Sequence, residues 1–575
     1  MSPNLPFKLI GIVSVMMLAG NSWAQTAPSL PGSVQPSQVG AAIRSQQPGA
    51  TPQVLPPVLA PKQEAPTGLT AQAQKIKFQL NKIILKGNRI YSEAQLRPLY
   101  QHDLHHTITV AELFKIVQDI TNYYRNNGYI LSRAILPPQH VKGGVVTIQV
   151  IEGYIGAVNV QGKPNGAKCL VQKFGERIKA CPPLQLSRME RYLLLANEIP
   201  GTQVRSVLSP SKTQTGAADL TMVANNKVAT GYLSYDNYGT RYIGPQQMTA
   251  NLTANSFATS GDSTQFTFTK TPKGGELTYA DINYNAPLND EGTRWLIGGT
   301  RVHTHPLFVL RPEQIDGLNN NYYTTVFFPI IRTRSQSLTY RLGFNYLDSE
   351  VTTFDLPLYT DHLRSLDVGG TYNFADRWNG ANLISADFRQ GLPVLGYTSN
   401  TNINTATTSR PGGRGTYTKI ALTASRLQAV KGPWSLYGML QGQWAFNPLL
   451  AAEQFTFGGP QIGRGYDVAE IIGDKGAAGS LELRYDWAVG KLLIQDLELY
   501  AFYDAGMIWN FEFIGGVPRK QSATSTGLGV RFLMTKYING NVMWAQPLTK
   551  QVAAEQLIGD GWRPRVFFSV VANIG

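Results

Sequence analysis

After its first two dozen residues the chain never offers the run of about 18 apolar residues that an α-helical membrane span requires, so a helical bundle in the membrane is excluded. Charge is scarce too, with Asp, Glu, Lys and Arg making up 15% of the sequence. The formal net charge of +14 is spread along the chain with no dense Lys/Arg cluster, which argues against a nucleic-acid partner. Catalytic signatures are missing: there is no Gly-x-Ser-x-Gly elbow and no phosphate-binding P-loop. His102, His105 and His106 gather on a polar stretch, but no Cys or paired carboxylate completes a ligand set. The expectation is a non-enzymatic protein without metal or cofactor. Cysteine is almost absent, limited to Cys169 and Cys181.

What the chain has in abundance is alternation. In residues 248–256 the even positions read Met248, Ala250, Leu252 and Ala254, against Thr249, Asn251, Thr253 and Asn255. Residues 338–347 set Leu338, Tyr340, Leu342, Phe344 and Tyr346 opposite Thr339, Arg341, Gly343 and Asn345. Residues 481–487 set Leu481, Leu483, Tyr485 and Trp487 opposite Glu482, Arg484 and Asp486. Charges that recur on one face of a strand need water there, while the opposite face can meet lipid. A transmembrane β-barrel satisfies both faces at once. Residues 226–575 hold about sixteen strand candidates of this kind, the last over 565–574, with long gaps at 306–320, 398–415 and 449–476 that are expected to face the cell exterior. The fold class is therefore an all-β barrel of antiparallel strands in the outer membrane, expected as a monomer among outer-membrane lipids.

The N-terminus supports export. Lys8, an apolar run over 9–19 and Ser22-Trp23-Ala24 have the three parts of a signal peptide, assigned to residues 1–24. Residues 25–75 are rich in Pro, Ala, Gln and Ser and read as a linker. Within it, residues 36–47 lack internal proline and can form a short helix with Val39, Ala42, Ile43 and Gln46 on one face. So short a helix is marginal alone in water, so it is either unstructured or lodged in something. In an oxidising periplasm a Cys169–Cys181 disulfide is the first expectation and free thiols the second. Pairing requires that the intervening helix begin after Cys169 or that the segment fold back.

Residues 76–153 read as a compact β-α-α-β-β unit. A strand over 78–85 ends at Lys86-Gly87-Asn88, and a short helix follows over 92–100. Thr109 and Glu112 have capping-box spacing ahead of Val110, Leu113, Phe114, Val117 and Tyr124, and Asn127-Gly128 stops that helix. Strands over 129–136 and 145–152 complete the unit. Residues 154–225 repeat the order, with strand 155–161, helices near 170–179 and over 186–198, and strands 204–209 and 219–223. The layout resembles two polypeptide-transport-associated (POTRA) domains, most specifically at Ile84-Leu85-Lys86-Gly87-Asn88 and Asn127-Gly128-Tyr129.

Two motifs carry the functional reading. The third gap contains Arg464-Gly465-Tyr466, and a late strand contains Phe502-Tyr503-Asp504-Ala505-Gly506. Alternation points Phe502 and Asp504 into the lumen, where Arg464 on an infolded loop is the candidate cation; a guanidinium forks a carboxylate as Lys cannot. With Asp236-Asn237-Tyr238-Gly239 and Gly244 on the first strand, these residues make the chain similar to the two-partner secretion transporters, a branch of the BamA-like superfamily. That resemblance implies an Arg464–Asp504 pair inside the barrel, a lumenal plug made by residues 36–47, and export of a large haemolysin-, adhesin- or toxin-like partner captured by the POTRA arm. About 29 linker residues separate the plug from Lys77, and a flexible chain of that length spans roughly 30 Å, enough for an apolar band about 25 Å tall. The chain departs from the family at Gly463, where a branched aliphatic is usual, which implies a more flexible tip; at Ile243, in place of Thr; and in ending on Asn573-Ile574-Gly575. The alternatives are an outer-membrane assembly factor and a passive porin.

Overall fold

The computed structural model describes residues 30–46, 74–214, 216–399, 407–490, 494–511 and 518–575. The expected signal segment and most of the expected linker fall outside these residues. From Ala229 onward the alternating segments close into one antiparallel 16-stranded cylinder, running from strand Ala229–Asp236 to strand Arg565–Ile574, which pair with each other. The two faces fall where the sequence puts them. Leu252, Tyr340, Leu481 and Trp487 stand exposed on the outside, while Asn251, Asn255, Glu482 and Asp504 are buried within. A polar interior is tolerable because its groups find partners, as where Thr300 Oγ1 and Tyr323 OH both donate to Asp281 (2.6 and 3.1 Å).

The short turn at Asp290 meets Arg177 of the second N-terminal unit, and the long loops leave the opposite ends of the strands. The first expected gap is shorter than read, because the ladder begins at Ile315 rather than after residue 320. Five helices are used below: α1 (Pro36–Gln46), α2 (Glu93–Leu96), α3 (Val110–Asn126), α4 (Lys168–Lys179) and α5 (Leu186–Asn197).

In the first unit α3 carries its capping box, with Thr109 and Glu112 each satisfying the other's backbone N–H, and it buries Leu113, Ile116, Val117, Ile120 and Tyr124 against the sheet. The expected strand 78–85 is two strands, Lys77–Leu80 and Lys82–Lys86. The chain switches sheets at Asn81, whose N–H donates to Gly144 O (2.8 Å). Lys77–Leu80 pairs with an unexpected strand, His106–Thr109, and Lys82–Lys86 lies parallel to Val145–Ile151. The helix expected over 92–100 is only α2 followed by a 3-10 turn, because Pro98 follows at once. The strand expected over 129–136 shrinks to Arg133–Ile135. The second unit keeps the expected order, with Tyr154–Lys163 parallel to Ala217–Asn226 and Thr202–Pro210 antiparallel on its other side.

The expected disulfide is corrected: Cys169 and Cys181 are free and exposed. α4 begins before Cys169 and runs to Lys179, so a rise of 1.5 Å per residue sets Cys169 about 15 Å from a helix end that lies two residues short of Cys181, beyond the ~7 Å limit for a bridge.

Candidate functional site

The loop between strands Trp434–Ala445 and Lys475–Ala488 folds back into the cylinder as a small hairpin, with Phe455–Phe457 paired to Ile471–Gly473. Its apolar side chains Phe457, Ile462, Tyr466 and Ile471 pack on Ala478, Ile508, Ala523 and Val552 of the wall and the last loop. This seating carries Arg464 to the wall at 3% exposure. Arg464 Nε and Nη2 donate to the two oxygens of Asp504 (2.9 and 2.7 Å), a bidentate fork. The backbone N–H groups of Gly463 and Arg464 both donate to Asp504 Oδ2 (3.0 Å each). Nη2 also donates to Ser480 Oγ (2.8 Å), Nη1 pairs with Glu482, and the guanidinium lies 3.6 Å from the centroid of the Phe502 ring.

Sequence reasoning placed Arg464, Phe502 and Asp504 together but missed Ser480 and Glu482. Strand register would have found them: Ser480 stands opposite Asp504 and Glu482 opposite Phe502, both on the inward face. Glu482 receives Arg484 Nε (2.7 Å) and Arg531 Nη2 (3.2 Å) as well, so three guanidiniums and the carboxylates of Asp504, Glu482 and Glu498 form one network. Burial of charge is affordable only in such a network.

Gly463 departs from expectation. It is a constrained point, held at φ 79° with its N–H engaged, and an added Cβ would sit 2.8 Å from the Phe457 ring. Gly465 presses against Ser525 and Pro547, where a Cβ would meet Ser525 Cβ at 2.8 Å. Tyr466 OH donates to Thr524 O (2.9 Å). Further tethers fix the loop: Asp467 to Arg565 (2.8 Å), Glu470 to Lys550, and Glu453 to Arg389 and Lys419 (2.9 and 2.7 Å).

Helix α1 lies inside the cylinder beside this loop. Val39 and Ile43 pack with Tyr242, Ile243, Leu277, Tyr279 and Val302. Gln38 donates to Ala451 O and Gln461 donates to Ser45 O, so helix and loop hold each other. Arg44 donates to Thr300, lies 4.0 Å from Asp281 and sits over the Tyr323 ring. Below Arg44 a polar cavity of about 600 Å³ continues along the lumen, lined by Asp281, Arg341, Asp387 and Arg389 among others. Asp236, Asn237, Gly239 and Gly244 are placed apart from Arg464, at the outer end of the first strand.

Two family models match. That of the POTRA domain, ShlB-type, covers residues 78–153, and that of the haemolysin secretion/activation protein ShlB/FhaC/HecB covers residues 219–532, more than half the chain. The chain belongs to the ShlB/FhaC/HecB family. It is an outer-membrane two-partner secretion transporter, a family that exports large exoproteins, with its POTRA domains in the periplasm. Among its relatives, the heme/hemopexin transporter protein HuxB of Haemophilus influenzae (strain 86-028NP) is 23% identical over 85% of this chain and 87% of its own. The outer membrane transporter CdiB of Dickeya dadantii (strain 3937) is 24% identical over 75% and 76%. In fold, this transporter is similar to CdiB from Escherichia coli (TM-score 0.71, 18% identity, covering 94% of this chain and 99% of that one). It is likewise similar to CdiB from Acinetobacter baumannii (TM-score 0.60, 16% identity, covering 93% and 96%).

Proposed function

We propose that this transporter rests with α1 as a removable plug and with Arg464 as the anchor that keeps the infolded loop against the wall. Residues 1–24 act as the export signal, 25–75 as plug and linker, 76–153 and 154–225 as the two arm domains, and 226–575 as the pore. It works as a monomer in outer-membrane lipid and moves one large unfolded exoprotein. The arm offers the client strand edges for main-chain pairing, which suits an extended chain because it needs no folded surface on the client. α1 then leaves the lumen and the client threads past polar walls.

The observation that carries this reading is that α1 and the loop lie side by side in the lumen and hydrogen-bond to each other. Both are fixed to the wall through side chains rather than the strand ladder, so either can be released without breaking the barrel. The test is Arg464→Ala: secretion of the partner is expected to fall to background while heat-modifiable, folded barrel remains in the outer membrane. Normal secretion by that variant overturns the anchor role.

A further inference from the structure

Through Tyr238 the first-strand motif packs in one apolar cluster with Phe502 and Tyr500, and at Asn237 its geometry is specific in another way. The ladder between the first and last strands is short, pairing Gly231 through Asp236 with Ser569 through Ile574. Past Asp236 the main chain of the first strand turns away. Asn237 N–H still donates to Phe568 O (3.2 Å), but the next two bonds come from its side chain. Its Oδ1 accepts from Phe568 N–H (2.7 Å) and its Nδ2 donates to Val566 O (2.9 Å). A carboxamide carries a donor and an acceptor in one plane, as a peptide group does, so it can stand in for the missing peptide.

The motif holds this residue in place. The buried Asp236 accepts Tyr238 N–H at Oδ1 (3.0 Å), fixing the turn that aims Asn237. Gly239 N–H donates to Pro245 O (3.0 Å) and Gly244 takes φ 84°, closing the loop tightly. Tyr238 reaches across to Ser569 Oγ (3.3 Å) and packs on Phe567. The same loop then presents Tyr242 and Ile243, both buried against Val34, Val39 and Ile43 of the plug segment.

We propose that Asn237 is the positioning residue that fastens the barrel's seam, its side-chain amide serving as one more peptide of the ladder, and that the seated plug keeps it aimed through Tyr242 and Ile243. The fastener ties closure of the cylinder to occupancy of its lumen. It rests on the two side-chain bonds of Asn237 to the last strand and not on how Arg464 acts.

Hydrogen exchange on the full-length protein in lipid nanodiscs tests it. Asn237→Ala should speed exchange of the Phe568 amide by about tenfold, the loss expected for roughly one net hydrogen bond, and leave the ladder between Asp496–Trp509 and Lys520–Thr535 unchanged. Asn237→Asp keeps the size and the acceptor but loses the donor to Val566 O, and should give a smaller rise at the same amide. Deleting residues 30–46 should produce the Phe568 effect in the native sequence and add nothing to Asn237→Ala. Unchanged exchange at Phe568, or a rise shared equally by all strands, overturns the fastener. Additive effects of the deletion and Asn237→Ala overturn its link to the plug.

Discussion

At the scale of single residues, the site is governed by what surrounds a buried guanidinium. Arg464 could be read from sequence because an inward Asp504 demands a cation and only Arg forks a carboxylate. Ser480 and Glu482 could be given an inward face but not a place beside Asp504, because alternation alone does not fix the register between two neighbouring strands. Gly463 teaches the opposite lesson. Sequence suggests looseness, whereas its positive φ and its N–H bond to Asp504 make it a fixed corner. Gly463→Ala should therefore strain the tip by about 1–2 kcal/mol, the cost of a left-handed L-residue, before any clash with Phe457 is counted. Pulse-chase secretion of the partner is expected to slow, with barrel abundance unchanged. Secretion at the native rate would mean that the corner tolerates a side chain.

Elements were legible in proportion to how far their own residues decide them. The barrel strands announce themselves because the two-residue period is imposed by lipid on one side and water on the other. α3 does so through its cap and its apolar stripe. The division at Asn81 and the partner strand His106–Thr109 were invisible, since both depend on which sheet a short segment joins, a choice made by distant pairing. α1 is the intermediate case. Its residues permit a helix of three turns, but such a helix is marginal by itself. Its stability comes from Tyr279 and Val302 on the wall, from Tyr242 on the loop after the first strand and from Ala451 on the infolded loop. Ile43→Asp places an unpaired charge into that apolar contact, which costs several kcal/mol. In planar bilayers the variant is expected to open more often and at higher conductance than the native protein. Traces indistinguishable from native would show that α1 is not what closes the pore.

At the scale of the whole molecule, the arm and the pore meet through charge. Arg177 of α4 forks Asp290 on the turn joining strands Leu277–Pro287 and Arg294–Thr304 (2.9 and 2.7 Å). Arg191 of α5 donates to the carbonyls of Pro329 and Ile330 (3.0 and 2.9 Å), and Arg332 pairs with Glu198 (2.9 Å). These contacts are partly exposed, so each is worth little by itself, and their effect is to set the direction in which the arm points. The Arg177 guanidinium holds the Asp290 carboxyl below its usual range. A carboxylate depressed on docking stabilises the docked state above the free pKa, about 3.9 for Asp, and that stabilisation is lost as pH falls through the lower, docked value. The arm should thus be held at neutral pH and loosen under acid. In nanodiscs, the distance distribution between spin labels on the second POTRA domain and on the barrel is expected to broaden below about pH 4. Arg177→Ala should broaden it already at pH 7 and flatten the acid response. A distribution that stays narrow in that variant would assign the arm's orientation to the Arg191 and Arg332 contacts instead.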